Sequence, residues 1–355
     1  MSNGGIGLGE IKSALENAGE PWQAGMTSIA RLAPEERRRR LGVPGGAKAA
    51  KAAMPTAGTV RAPSAYDLRN VGGKNFVTPI KDQGSCGSCV SFGVVATVES
   101  TLMVQQGSTD PVDLSEAHLF FCHARDRGYN CNTGWWPNEA LDDFRDKGVV
   151  DDACYPYNLA NTDCSGLCDD WQNRLTRIAG YQDLTNKADA IKDWVSTRGA
   201  VAACFEVYED FFYYQSGVYR HVTGGLMGGH CVTIVGYDDA QSCWICKNSW
   251  TTGWGEQGFF RIGYGECGIE TWLNHGAEGV QVSGWINSTR VQGLWTINQE
   301  CNAWAYLANK GWCKVSPDNL QIFSTMLAQL ASAKTGGRVV NVYTDRDVIK
   351  QVYVF

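Results

Sequence analysis

Long apolar runs are absent from this sequence of 355 residues. No stretch approaches the roughly 18 consecutive apolar residues that a membrane-spanning helix needs, so we expect no membrane span. An excess of positive charge is also missing, because 31 Lys and Arg stand against 37 Asp and Glu, for a net charge of -6. Without a basic surface along the whole chain, a nucleic acid is not an expected partner.

A signal-peptide pattern is missing as well. Residues 1–20, MSNGGIGLGEIKSALENAGE, carry acids, amides and glycines where the apolar core of such a peptide would stand. The 14 cysteines point the other way, because that many usually include disulfides made in an oxidising compartment. We therefore expect a secreted or otherwise extracytoplasmic protein, although no signal peptide is visible.

Composition divides the chain into three parts. Residues 1–60 combine two short helical patterns with a linker of Gly, Pro, Ala and Lys that proteases should reach easily. Residues 61–275 are dense in Trp, Cys and Gly, and their helical patterns precede strand-like runs such as HCVTIVGYD. Residues 276–355 contain strand patterns before and after a single helix pattern at 317–333. We predict an α+β protein with a helical lobe, a sheet-rich lobe and a small C-terminal α+β module.

Cys89 stands where a Gly-rich loop meets the start of a long helix pattern, in KDQGSCGSCVSFGVVATVE. Backbone N–H groups at a helix N-terminus favour a thiolate, so this position predicts a lowered pKa for the Cys89 thiol. Cys86 and Cys89 alone would also fit a redox pair or half of a zinc site. Because Cys243 and Cys246 lie in a strand pattern and point to opposite faces, they do not complete such a site, and we expect neither metal nor cofactor.

A nucleophilic thiolate needs a neighbouring group that takes up its proton and returns it to the leaving group. Among the 5 histidines, His230 stands out in MGGHCVTIVGYDD, after two glycines and before a strand pattern. Asn248, in CWICKNSWTTGWG, has a side-chain carbonyl that can accept a hydrogen bond from an imidazole. The neighbouring Trp250 and Trp254 are suited to keeping water off that bond.

At these residues the chain resembles the papain-like cysteine proteases, over about residues 64–272. The fragments PSAYDLR, CGSC, NCNTGWW and ACYPY and the block around Asn248 carry the resemblance. It implies a papain-like two-lobe fold in which Cys89 is the nucleophile, His230 the general acid and base, and Asn248 its orienting residue. It also implies that the Gln83 amide and the Cys89 backbone N–H bind the oxyanion of the tetrahedral intermediate.

The resemblance implies substrate contacts too. Thr133 and Gly134 would present their backbone to an extended peptide, although Thr133 replaces the usual glycine. An apolar pocket for the second residue before the cut would be bordered by Trp135, Cys204, Gly228 and Gly229. Trp254 is also placed on the substrate side, with core packing as the alternative for this residue.

Disulfide pairs follow from the same resemblance. It implies that Cys86 pairs with Cys131 and Cys122 with Cys164, within the helical lobe. Cys301 with Cys313 is a candidate for closing a further loop near the C-terminus.

The N-terminal stretch PWQAGMTSIARLAPEERRRRLGV resembles the short pro-segment of cathepsin B-type members of the family. The resemblance implies that this segment runs through the active-site cleft and blocks it until the linker is cut. No insertion with paired histidines, of the kind that makes cathepsin B trim C-terminal dipeptides, is recognisable. We therefore expect an endopeptidase acting on protein and peptide substrates.

The C-terminal part is compatible with a five-stranded barrel of the OB type seen in toxin B-subunits, which would suit a glycan or protein ligand. A structural extension packed on the sheet lobe is the other interpretation. A catalytically idle papain scaffold that binds or adheres through this module is therefore the alternative function. The complete set of Gln83, Cys89, His230 and Asn248 argues against it.

Overall fold

The computed structural model describes residues 6–45, 62–110, 112–308, 310–345 and 347–355. Most of the predicted linker, residues 46–61, lies outside the described residues. The α-helices of the described chain are α1 (Leu8–Asn17), α2 (Pro34–Arg38), α3 (Cys89–Gln106), α4 (Pro137–Asp146), α5 (Ala188–Thr197) and α6 (Leu320–Gly336). Its strands are β1 (Trp22–Ala24), β2 (Ala65–Asp67), β3 (Thr176–Asp183), β4 (Val201–Tyr208), β5 (Tyr214–Tyr219), β6 (Leu226–Asp238), β7 (Cys243–Lys247), β8 (Phe259–Gly263), β9 (Trp272–Val282), β10 (Gly284–Thr296), β11 (Ala303–Leu307), β12 (Gly311–Val315), β13 (Val339–Asp345) and β14 (Val348–Val354).

Helix α3 is the central helix of the helical lobe. It is apolar on all sides, and the 15 residues from Cys89 to Met103 are buried, as expected of a helix enclosed by other elements. It ends at Gly107, whose left-handed φ of 63° suits glycine at a helix C-terminus. The segment His118–Ala124 forms a helix of the wider π form.

The sheet-rich lobe is built around β6. Its nine strands include the path β1-β5-β8-β7-β6-β4-β9-β3, with β2 paired to β6 off this path. Strand β6 has 13 residues and pairs antiparallel with β4 on one side and β7 on the other. Because both faces of β6 are covered, its residues from Gly229 to Tyr237 are all buried.

Residue contacts divide the chain into two compact units. The first holds Met1–Lys147, Asp151–Leu167 and Ile178–Val280, and the second holds Gly148–Val150, Cys168–Arg177 and Gln281–Phe355. The boundaries predicted from the sequence, after residues 60 and 275, stay predictions.

Within the second unit, five strands form a closed barrel in the order β10-β11-β12-β14-β13. The strand, helix, strand order predicted for this region is present. Helix α6 lies between β12 and β13 in the chain, and its N-cap residue Asn319 accepts a hydrogen bond from the Ile322 backbone N–H at 3.0 Å. Buried Leu330 and Ala333 of α6 join Val340 and Ile349 in the core of this barrel.

None of the helices in the described part of the chain is long and apolar enough to cross a membrane.

A buried charge network joins helix α3 to strand β7. The Thr78 hydroxyl donates to the Glu99 carboxylate at 2.5 Å and accepts from Lys247 Nζ at 2.8 Å. The Leu114 backbone N–H donates to the other Glu99 oxygen at 2.8 Å. Burial raises the pKa of Glu99 and lowers that of Lys247, whereas each charge opposes the shift of the other. The network therefore depends on both charges being present.

We predict that Lys247→Met destabilises the protein, because it removes one of the two lysines, Lys81 and Lys247, whose charges favour the buried Glu99 carboxylate. Because Lys81 stays near Glu99, we expect less than the roughly 3–5 kcal/mol that a fully unpaired buried charge costs, but the urea midpoint of unfolding should still fall. Arg145→Ala is the control, since Arg145 pairs with Asp146 at the surface and should leave the midpoint unchanged. Equal midpoints for the two variants would contradict the prediction.

Candidate active site

Cys89 is the first residue of α3, and a close helix–strand contact brings it to β6. A side chain at Gly93, one turn further along the helix, would place its Cβ 2.8 Å from Cys231 Sγ and 3.2 Å from the Val232 carbonyl oxygen. Thr233 of β6 donates its hydroxyl to the Gly93 carbonyl at 3.0 Å. Because only glycine fits this approach, α3 lies directly on β6, and the Cys231 backbone N–H acts on the Cys89 thiol.

His230 is held in one orientation by Asn248. The distance from His230 Nε2 to Asn248 Oδ1 is 2.8 Å, and both residues are buried. Because the Asn248 oxygen can only accept, Nε2 carries the proton and Nδ1 of the neutral imidazole is left as an acceptor. Among the described residues Nδ1 is buried without a hydrogen bond. The Trp250 ring lies 4.7 Å from the imidazole, centre to centre, and shields the His230–Asn248 bond from water.

The Gln83 side chain is fixed at both ends of its amide. Its Oε1 accepts from the Ser249 hydroxyl at 2.8 Å, and its Nε2 donates to the Cys86 carbonyl oxygen at 2.8 Å. The same Nε2 also donates to the Arg40 carbonyl oxygen at 3.0 Å. A backbone carbonyl of the N-terminal segment therefore occupies the predicted oxyanion-binding donor.

Residues 40–43 of the N-terminal segment cover the site. The Gly42 carbonyl accepts from the Trp135 backbone N–H at 2.8 Å, and the Val43 N–H donates to the Gly229 carbonyl at 3.1 Å. A Cβ at Gly42 would lie 1.9 Å from the Gly87 carbonyl oxygen, so the two backbones are in direct contact. The segment thus bonds to both walls of the cleft, next to Cys89 on one side and His230 on the other.

Burial shifts the pKa values of both Cys89 and His230. Burial raises the pKa of the Cys89 thiol to about 12, outweighing the backbone N–H groups of Cys231, Gly42 and Val90, which lower it. Burial also lowers the pKa of His230 to about 4, against the Asn248 hydrogen bond that raises it. The lowered thiol pKa predicted from the helix start is therefore not present in this covered form. Both groups are neutral near pH 7.

Comparison with known proteins now gives the family. The sequence profile described as "Papain family cysteine protease" matches residues 62–276. The chain belongs to the papain family of cysteine proteases.

Among its relatives, "Cathepsin B-like CP2" of Giardia intestinalis is 37% identical over 220 residues, which are 59% of this chain and 72% of that protein. "Cathepsin B-like CP3" of the same organism is 36% identical over 240 residues, 62% of this chain and 77% of the relative. The papain-family assignment thus rests on the same region as the predicted motifs.

Solved papain-family structures agree. "proCathepsin B S9 from Trypanosoma congolense" matches 77% of this chain and 98% of its own, with a TM-score of 0.63 and 26% identity. "Digestive procathepsin L 3" of Tenebrio molitor larval midgut matches 76% of this chain and 87% of its own, with a TM-score of 0.62 and 28% identity. The predicted papain-like fold is confirmed, and these similar structures are proforms, as expected of a chain whose N-terminal segment lies in its cleft.

Trp272 lies beside the predicted substrate pocket, although the sequence analysis did not name it. Cys204 of β4 is fully buried and lies opposite Trp272 of β9 in the sheet register. A Cβ at Gly229 would lie 2.3 Å from the Trp272 ring, which therefore fills the space beside this glycine. Gly228 faces Leu41, whose Cδ1 would be 3.3 Å from an added Cβ. No motif in the sequence singles out Trp272, because its contact with Gly229 depends on the pairing of distant strands.

Of the other predicted substrate residues, two contact the N-terminal segment, Gly134 and Trp135, and two have other neighbours, Thr133 and Trp254. Gly134 is in direct contact with the N-terminal segment, since a Cβ there would lie 2.0 Å from the Gly42 oxygen. Trp135 is buried and donates its Nε1–H to Glu139 at 3.0 Å, while its backbone bonds to Gly42. Thr133 is exposed, and its hydroxyl bonds within its own turn to the Asn130 carbonyl. Trp254 packs against Phe211 at 4.9 Å inside the aromatic core, the alternative role given to it above.

Two disulfides join Cys86 to Cys131 and Cys122 to Cys164, the pairs that the resemblance implied. The first ties the loop before Cys89 to the turn before Gly134, so it holds together the wall of the cleft that carries Cys89. Cys301 and Cys313 are both free thiols, so the loop closure considered for them is wrong. Cys313 points into the barrel core from β12, where it packs as a small apolar side chain.

Proposed function

We propose that this protein is the zymogen of a cysteine endopeptidase in which Cys89 is the nucleophile and His230 the general acid and base. The observation that carries the proposal is the arrangement around His230: Asn248 holds Nε2, and His230 directly precedes Cys231, whose backbone N–H acts on the Cys89 thiol. This arrangement supplies a thiol, a proton acceptor and a fixed tautomer within one buried site.

The reaction follows the usual order for such a pair. His230 takes the thiol proton, and the Cys89 thiolate attacks the peptide carbonyl carbon. Gln83 Nε2 and the Cys89 backbone N–H stabilise the oxyanion, a role supported by the hydrogen bond that Gln83 already donates to a backbone carbonyl. His230 then protonates the leaving amine, and water, deprotonated by His230, hydrolyses the thioester of the acyl-enzyme.

Inhibition by the N-terminal segment is part of the proposal. The Arg40 carbonyl takes the Gln83 donor, and Gly42 and Val43 take the backbone groups of Trp135 and Gly229 that an extended substrate would use. Arg40 is further anchored by its ion pair with Asp82 at 2.6 Å. Substrate is thus excluded, and the neutral thiol is a poor nucleophile until the segment leaves.

Specificity follows from the pocket. Because Trp272 occupies the space beside Gly229, we expect a small apolar residue such as Ala or Val at the second position before the cut.

Endopeptidase action is supported by the positions of two histidines. His118 and His123, whose rings lie 4.5 Å apart, are buried within a helix, so they are not a pair that would bind a peptide's C-terminus. The disulfides support an extracytoplasmic location.

We predict that Cys89→Ala abolishes both self-cleavage and cleavage of a peptide library at mildly acidic pH in the presence of reductant. Mass spectrometry of the products measures both. Cys243→Ala is the matched control, since it removes a buried thiol from β7 and should leave turnover within about twofold.

Cleavage by the Cys89→Ala variant would identify another nucleophile. If the unsubstituted chain, once its N-terminal segment has been removed, neither cuts the library nor reacts selectively at Cys89 with a thiol-directed epoxide, the idle-scaffold alternative is correct instead. Products joined to an added amine would indicate transpeptidation.

We predict that Gly42→Ala activates the uncut chain, because the added methyl group collides with the Gly87 carbonyl and displaces the segment. Turnover of a small fluorogenic peptide at neutral pH, with the chain length checked on a gel, should rise at least tenfold. Gly9→Ala is the control, since a Cβ there meets nothing within 4 Å. Equal turnover by both intact variants would contradict the proposed inhibition.

A further inference from the structure

Four aromatic side chains form one outer face of the C-terminal barrel. Trp295 of β10 is paired with Trp304 of β11, and Tyr306 of β11 is paired with Trp312 of β12. Directly paired residues, and residues two apart in a strand, share a face of the sheet. We call these four residues the aromatic platform.

The aromatic platform is open to solvent. Trp295, Tyr306 and Trp312 are 48%, 37% and 49% exposed, while the alternating residues Ala305 and Cys313 point into the core. The Trp312 ring lies over Gly293, since a Cβ there would be 3.3 Å from it, and meets the Tyr306 ring edge-on at 5.4 Å. Adjacent exposed aromatic rings of this kind mark a binding surface.

Polar amides border the aromatic platform. The Trp304 Nε1–H donates to Asn302 Oδ1 at 3.2 Å, and Asn302 Nδ2 donates to Gln299 Oε1 at 2.8 Å. Lys314 is the one charged side chain on β11 and β12, both of which are described in full. A single-stranded nucleic acid would need a row of cations beside the rings. Lys314 is paired with Trp304, so it adds one charge to this face. A face with a single charge and amides at its edge suits an uncharged, hydroxyl-rich ligand instead.

The topology agrees with this choice. The closed order of first, second, third, fifth and fourth strands, with a helix between the third and fourth, is that of an OB barrel. OB barrels bind oligosaccharides or oligonucleotides on the face of their second and third strands, which here are β11 and β12. Three of the four platform residues lie on these two strands.

We propose that the aromatic platform binds neutral oligosaccharides. The apolar C–H faces of pyranose rings stack on Trp304 and Trp312, and their hydroxyl groups bond to the amides of Asn302 and Gln299. This site is separate from the chemistry of Cys89 and would hold the protease on glycosylated material.

The test uses the full chain with Cys89→Ala, so that self-cleavage does not interfere. It is applied to an array of neutral oligosaccharides ending in galactose, N-acetylglucosamine or mannose, with sialylated oligosaccharides and a dodecamer of deoxythymidine as further probes. We expect binding to at least one neutral class. Trp312→Ala should weaken it at least tenfold, and Trp312→Phe should retain most of it.

Trp285→Ala is the matched control, since Trp285 is 41% exposed on the same barrel but packs with Tyr343 and Tyr353 instead. It should bind as well as the parent chain. Absence of binding to every neutral oligosaccharide would overturn the proposal, as would salt-sensitive binding to the deoxythymidine probe alone. Full binding by Trp312→Leu would also overturn it, because it would show a general apolar contact without ring stacking.

Discussion

The close contact between helix α3 and strand β6 is the constraint on which the active site depends. At Gly93 the helix backbone comes so near to Cys231 and Val232 that a methyl group would not fit. This approach places the start of the helix, with Cys89, against the strand that carries His230. The buried network of Glu99, Thr78 and Lys247 then joins the same helix to β7, the strand that leads into Asn248. The proposed nucleophile Cys89, the His230 imidazole and the Asn248 amide are therefore positioned by one packed unit.

The covered site shows how desolvation can oppose a helix dipole. A helix N-terminus stabilises a thiolate by a modest local field, typically about 0.3–1 kcal/mol at an exposed site. Complete burial of Cys89, which also contacts the Gly42 backbone, disfavours the charge more strongly, so the thiol stays protonated. His230 responds in the opposite direction, because burial disfavours its cation. In the proposed mechanism, a segment that excludes substrate would thus also disfavour the charges that the reaction needs.

Much of this arrangement could be predicted from the sequence, since the informative residues are local. The loop and helix start around Cys89, the glycines before His230 and the block around Asn248 each carry their own pattern. The alternating strands and single helix of the C-terminal barrel were predictable for the same reason. Side-chain periods of two and of 3.6 residues are visible in a single segment.

What could not be predicted depends on contacts between distant segments. The bond of the Arg40 carbonyl to Gln83 requires knowing the path of the N-terminal segment, and the place of Trp272 against Gly229 requires the register of β9. Trp254 follows Trp250 in one motif, yet only the packing of Phe211 against it assigns it to the core. Cys301 and Cys313 are near in sequence, but Cys313 is directed inward by the alternation of β12, and the two remain unbonded.

The most direct test of the account is the rate of Cys89 alkylation by iodoacetamide as a function of pH, followed by mass spectrometry of the Cys89 peptide. An ordinary thiol with a pKa of about 8.5 becomes slow below neutrality. We predict that Cys89 reacts slowly from about pH 5 to 8 while residues 40–43 cover it, and quickly even at about pH 5 once the segment is removed, because a thiolate paired with imidazolium then forms. Identical slow profiles in both forms, with the inflection of an ordinary thiol, would contradict the account.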